Sequence, residues 1–163
     1  MLKNTLFYFY QNVDISQWRI INDAVMGGVS KSEFILNNEG NGVFKGAVSL
    51  ENNGGFSMVK YSFPEMMIES FTKIKISLKG DFKNYQVRIK ADTAIDYSYV
   101  KGITTSDTWQ KIEIELNDFT PAFRGKQLDL PNFNEHKISE IAFLIGNKKS
   151  EHFELQLNKI EFL

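Results

Sequence analysis

The stretch Lys73-Ile74-Lys75-Ile76-Ser77-Leu78-Lys79 alternates polar and apolar residues without a fault. In a strand successive side chains point to opposite faces, so this pattern gives one wetted face and one buried face. On a helix the same isoleucines would be scattered around the girth. Tyr85-Gln86-Val87-Arg88-Ile89-Lys90-Ala91 and Gln110-Lys111-Ile112-Glu113-Ile114-Glu115-Leu116 repeat the pattern. Working outward, residues 29–36 and 43–50 flank Asn37-Asn38-Glu39-Gly40-Asn41-Gly42, whose amides and glycines predict a hairpin loop. Residues 138–145 (Ile-Ser-Glu-Ile-Ala-Phe-Leu-Ile) lose the alternation and predict a strand covered on both sides. In the last run Phe153, Leu155 and Leu157 share one face, whereas Ile160 and Phe162 have the opposite parity. One extra residue near Asn158-Lys159, a β-bulge, would return them to the same face.

Helical pattern is nearly absent. The best candidate, residues 64–71 (Pro-Glu-Met-Met-Ile-Glu-Ser-Phe), amounts to about two turns and is expected to plug one end of the fold. Nine or ten short strands with frequent turns predict a sandwich, all-β and a single domain over residues 1–163. Apolar runs at both termini are expected to supply strands that lie side by side.

Composition agrees. The aromatic share is 13%, with 14 phenylalanines, and such residues favour pleated structure. A net charge of −1 gives no support for a nucleic-acid surface or an anionic membrane. The chain has no cysteine, which excludes a disulfide scaffold and thiolate chemistry. The N-terminal apolar run of five residues is too short for a signal-peptide core or a membrane span, so a cytoplasmic, bacterial-style protein without membrane insertion is expected.

Enzyme signatures are missing. The sequence holds no G-x-S-x-G, no H-E-x-x-H and no Walker glycine loop. His136 and His152 fall in polar segments that read as connections, and two histidines are too few for a histidine-rich metal site. Carboxylates are plentiful, yet nothing singles out a pair. Neither a cofactor nor a metal is expected, and catalysis is not.

Two glycine-bearing polar clusters exceed what turning the chain requires. They are Asn22-Asp23-Ala24-Val25-Met26-Gly27-Gly28-Val29-Ser30 and Leu50-Glu51-Asn52-Asn53-Gly54-Gly55-Phe56-Ser57. A hairpin needs only Asn-Gly. One reading is that the loops lock each other, with Asn22, Asp23, Asn52 and Asn53 satisfying backbone groups while the glycines allow close approach. The other is a rim of amides and carboxylate around a ligand or partner. A second candidate surface carries Gln86, Arg88 and Lys90, with Asp92, Tyr97, Tyr99 and Trp109 nearby in sequence. Alternation places Trp109 with Lys111 and Glu113, away from Ile112 and Ile114, and so toward solvent unless a bulge turns it inward; the other reading, favoured because tryptophan is usually mostly buried, is that Tyr99 and Trp109 cap a core edge. Lys73, Lys75, Lys79, Lys83, Arg88 and Lys90 make one region basic, which acidic segments balance, and it reads as a solvated face and not an anion site.

Trp18-Arg19-Ile20-Ile21-Asn22-Asp23-Ala24-Val25-Met26-Gly27-Gly28-Val29-Ser30 resembles the opening signature of the complex I intermediate-associated protein 30 family. Phe44-Lys45-Gly46-Ala47-Val48-Ser49-Leu50-Glu51-Asn52-Asn53-Gly54-Gly55-Phe56 resembles its second block, and Phe119-Thr120-Pro121-Ala122-Phe123-Arg124-Gly125 is similar to its Phe-x-Pro-x-x-Arg-Gly. The resemblance covers nearly the whole chain, without the targeting extension of the mitochondrial members. It implies a galactose-binding-like jelly-roll β-sandwich and the role of a non-catalytic, chaperone-like assembly factor with a protein partner. The alternative on the same fold is a carbohydrate-binding module. Because arginines and large aromatics dominate interface energetics, Arg88, Tyr99, Trp109 and Arg124 are the expected binding side chains beside the loop residues Asn22, Asp23, Asn52 and Asn53.

Overall fold

The computed structural model describes residues 4–23 and 27–163, with Asn53 described by its backbone alone. Among the described residues, thirteen strands form two antiparallel sheets. In the six-stranded sheet, β3 (Lys31–Leu36), β4 (Gly42–Val48), β13 (Glu151–Phe162), β6 (Lys73–Lys79) and β9 (Gln110–Glu115) lie in that order. Beyond the end of β4, β1 (Thr5–Tyr8) takes the same side of β13, pairing Thr5 with Glu161 and Tyr8 with Lys159. The two terminal runs therefore do lie side by side.

The seven-stranded sheet has the order β11 (Lys126–Gln127), β10 (Thr120–Phe123), β8 (Ser98–Thr104), β7 (Asn84–Lys90), β12 (Lys137–Ile145), β5 (Ser57–Met67) and β2 (Trp18–Asn22). Its central strand β12 is buried at Ile138 through Phe143, as the lost alternation of that run predicts. Between the sheets Ile74, Ile76 and Leu78 of β6 share one core with Val87, Ile89, Ile141 and Phe143, all fully buried. Trp18 stacks on Tyr61 of its own sheet at 4.9 Å and on Phe34 of the other at 5.1 Å, tying one flank of the sandwich together.

The parity change in the last strand has the expected cause. β13 pairs Leu157 with Leu78 but Lys159 with Ser77, so Asn158 is the extra residue of a bulge and both Leu157 and Ile160 face the core.

Three expectations need correction. Residues 64–67, read as the start of a short helix, extend β5 instead, pairing Met66 with Ile138 and Met67 with Lys137. Pro64 sits in the register shift between Ser62↔Glu140 and Met66↔Ile138, where a residue without an N–H removes no ladder bond. Pairing with β12 overrides the local pattern. Strand number is also higher than nine or ten, because β10 and β11 are too short to show a period. Finally, His152 is an exposed residue of β13, paired opposite Ala47, and not part of a connection.

Candidate functional site

The two glycine clusters meet at one carboxylate. Asp23 follows directly on β2 and is wholly buried. Its Oδ2 accepts the backbone N–H of Gly55 at 2.5 Å and of Phe56 at 3.2 Å. Its Oδ1 accepts the N–H of Ser30 at 2.9 Å, and the Ser30 hydroxyl donates to Oδ2 at 2.5 Å. The same hydroxyl oxygen accepts the N–H of Ser49 at 2.9 Å, which brings the end of β4 into the network. Gly28 N–H donates to the Asp23 carbonyl at 2.8 Å. The glycines make room for this: a Cβ on Gly54 would lie 2.5 Å from Asp23 Oδ2, and one on Gly28 would overlap the same carboxylate. Burial pushes the Asp23 carboxyl up, but the hydrogen bonds from Ser30, Gly55 and Phe56 outweigh it and hold the group below its ordinary range. This geometry fits the locking reading.

The surrounding loop residues behave differently. Asn22, half-buried, ends β2 opposite Ser57. Asn52 is exposed and takes a left-handed φ of 55° in the 3-10 turn Glu51–Asn53. The Asn53 side chain and the Ala24-Val25-Met26 part of the first motif lie outside the described residues. Asp23 thus faces the interior while Asn52 faces water, so the two do not share a rim.

The outer faces of the two sheets differ in chemistry. On the six-stranded sheet Lys73 pairs with Glu113 at 3.5 Å and Glu115 at 3.8 Å, Lys159 with Glu161 at 3.6 Å, and Lys45 with Glu33 at 3.8 Å. The Lys73 and Lys45 pairs are solvated cross-strand rungs, each worth little on its own, whereas Lys159 and Glu161 pair along β13 and are largely buried. A wide depression of about 560 Å³ beside His152 is lined by the same kind of rungs, Glu33 and Lys45 among them.

On the seven-stranded sheet the outer side chains are polar yet half-buried. Arg88 and Lys60 stand in register on either side of Ala142, which is 1% exposed beneath their stems. Glu140, also buried, accepts from the Ser62 hydroxyl at 3.3 Å and pairs with Lys60 at 3.7 Å. Arg88 Nη1 donates to Gln86 Oε1 at 2.9 Å, and Lys90 Nζ donates to the Ile95 carbonyl at 2.8 Å. Burial pulls the Arg88 pKa down and the Glu140 charge partly restores it. Three cations, Arg88, Lys90 and Lys60, and one carboxylate are therefore fixed across three neighbouring strands.

Of the expected binding side chains, Arg88 alone stands at the middle of this face. Tyr99 lies opposite Ile89, on the core side of the sheet. It is 7% exposed and packs edge-on against Phe133 at 5.0 Å, with its hydroxyl donating to Glu135. Burial and then the neighbouring Tyr97 and Glu135 push its pKa up, so it stays neutral. Tyr99 is thus a core-edge residue and not a surface one. Arg124 is exposed at the tip of the β10–β11 hairpin, its guanidinium 5.1 Å from the centre of the Phe123 ring. Trp109 is exposed as alternation predicts, but it precedes β9 and so belongs to the other sheet.

Sequence reading missed Lys60 and Glu140. A signal existed for the second: a lone carboxylate inside an otherwise apolar, doubly covered run needs a partner wherever it points. Among the described residues no group of three or more His, Asp or Glu side chains is placed to hold a metal ion. No helix among them is long and apolar enough to cross a membrane.

A family model described as complex I intermediate-associated protein 30 matches residues 7–157. Comparison with curated proteins gives no match. Among solved structures, the family 11 carbohydrate-binding module from Clostridium thermocellum, in complex with a β-1,3-1,4-mixed-linked tetrasaccharide, superposes with a TM-score of 0.72 at 18% identity, covering 98% of this chain and 94% of that one. The family 11 module of a cellulosomal cellulase of the same organism gives 0.72 at 19% identity, with 98% and 92% covered. A structure of CBM4 gives 0.55 at 11% identity, with 99% of both chains covered. At such identities the likeness is one of fold, and the fold is the galactose-binding-like β-sandwich.

Proposed function

Because the chain belongs to the complex I intermediate-associated protein 30 family, we propose that it is a non-catalytic binding module that docks a protein partner as an assembly factor does. The observation that carries this reading is the outer face of the seven-stranded sheet, where Arg88, Lys60 and Glu140 are held in place by neighbours before any partner arrives. A half-buried arginine with a fixed guanidinium makes several hydrogen bonds at little further loss of freedom, and such residues dominate interfaces. The register turns Trp18, Tyr61, Tyr85, Tyr99 and Phe143 of this sheet toward the core, so the face offers no aromatic platform from these strands. That favours a peptide surface over a sugar ring at this place. Arg124 lies apart from this face, at the far edge of the same sheet.

The test is affinity purification from the native cells with the wild-type chain, Arg88→Ala and Lys75→Ala. One partner is expected to be retained by Lys75→Ala and lost by Arg88→Ala, a weakening of about 2 kcal/mol or more. Retention of that partner by Arg88→Ala would overturn the assignment of the face.

A second reading, binding of carbohydrate, draws support from the tetrasaccharide held by a solved structure of the same fold and from the exposed Trp109. It points to a different surface.

A further inference from the structure

Trp109 is 45% exposed and lines a cavity of about 270 Å³ together with Asn41, Ser77, Gln110, Lys111 and Asn158. Tryptophan usually buries most of its ring, and this one forgoes that stabilisation beside polar neighbours. The bulge in β13 explains part of the arrangement, because the extra residue, Asn158, is released from the ladder and re-aimed. Three of the lining side chains are primary amides, one is a hydroxyl and one an ammonium; none is a carboxylate.

Their hydrogen-bonding capacity is only partly used within the chain. Asn158 Nδ2 donates to Asn41 Oδ1 at 3.0 Å, and Gln110 Oε1 accepts the Ser106 N–H at 3.0 Å. Among the described residues, the Asn41 and Gln110 amide N–H groups, Asn158 Oδ1 and the Ser77 hydroxyl have no partner. Asn41 is 8% exposed, and what remains open of it lines the cavity. Among the described residues Lys111 makes no ion pair either, although the neighbouring rungs of its face are paired.

We propose that this cavity binds one pyranose ring of a saccharide. The proposal rests on the carbohydrate reading and gives it a place. The apolar C–H face of the ring lies on the exposed indole, while neighbouring hydroxyls, each both donor and acceptor, meet amides that present both functions side by side. The volume is just under the roughly 300 Å³ where pockets for larger ligands begin, which matches one ring and not a chain of them. Lys111 gives preference to a ring that carries a carboxylate over a neutral one.

The experiment is an NMR titration of the whole chain, reading the Trp109 indole N–H and the side-chain amides of Asn41 and Gln110. The probes are the β-1,3-1,4-mixed-linked tetrasaccharide, β-1,4-galactotriose and a trimer of galacturonic acid. Saturable shifts of these signals are expected, largest with the acidic trimer. Trp109→Ala is expected to weaken binding at least about tenfold. Phe82→Ala, which removes a still more exposed aromatic outside the cavity, is expected to leave it unchanged. Shifts that map elsewhere overturn the site and leave the carbohydrate reading standing. No shift anywhere with any probe overturns both. Equal binding by Trp109→Ala also overturns the site.

Discussion

The carboxylate of Asp23 and the backbone N–H of Gly55, 32 residues apart in sequence, are joined by a partly buried hydrogen bond of 2.5 Å. Through it the end of β2 is fastened to the segment entering β5, its neighbour in the sheet. The Ser30 and Ser49 contacts extend the fastening to β3 and β4 of the opposite sheet. The join therefore bridges the two layers of the sandwich.

Removing the carboxylate leaves the N–H groups of buried Ser30 and of half-buried Gly55 and Phe56 without their acceptor. Asp23→Ala is expected to destabilise the chain by about 1–3 kcal/mol, measured by urea denaturation. Unchanged stability would mean that the loops are not held by this residue.

The pH dependence follows from the same bonds. The Asp23 pKa is depressed below the ordinary value of 3.8, so its contribution is complete above that value and is lost as the pH falls through the lower folded-state value. The difference in melting temperature between wild type and Asp23→Asn is expected to be constant at neutral pH and to shrink below about pH 3.8. A gap that widens in acid would contradict a depressed pKa.

Glycine at 28 and 54 is required by proximity. Gly54→Ala places a methyl group 2.5 Å from Asp23 Oδ2, and overpacking of this kind destabilises by about 1–3 kcal/mol. Gly102→Ala, with nothing within 4 Å of the new atom, is expected to stay within about 0.5 kcal/mol of wild type. Comparing their urea midpoints checks both.

The chain has two tryptophans, one 6% and one 45% exposed. Acrylamide is expected to quench a fluorescence component that disappears in Trp109→Phe, leaving a poorly quenched remainder from Trp18. A uniform response in both proteins would contradict the outward position of Trp109.

Most of the fold could be read from side-chain period alone, because one buried face per strand leaves a mark at every second residue. The bulge at Asn158 was legible for the same reason: a parity change has few other causes. Residues 64–67 misled because their local pattern is neutral and pairing with β12 decides. The site was less legible. Alternation points Trp109 outward, as found, since it sits beside a strand of clear pattern, whereas the usual burial of so large a ring had favoured a core edge. Tyr99 required knowledge of which residue it faces, Ile89, and no local pattern supplies that. Asp23 lies in a polar loop, and composition alone does not say whether such a loop faces the core or the solvent.

The place of β13 bears on how the chain is made. It is the last strand in order, yet it pairs with β4, β6 and β1 and so forms the spine of the six-stranded sheet. A ribosome that has delivered every strand before it holds β4 and β6 without the partner between them. Contacts of such long sequence separation form slowly. This layer is therefore assembled after residue 162 has left the exit tunnel, and until then the inner faces of β4 and β6 are exposed to whatever chaperones the nascent chain meets.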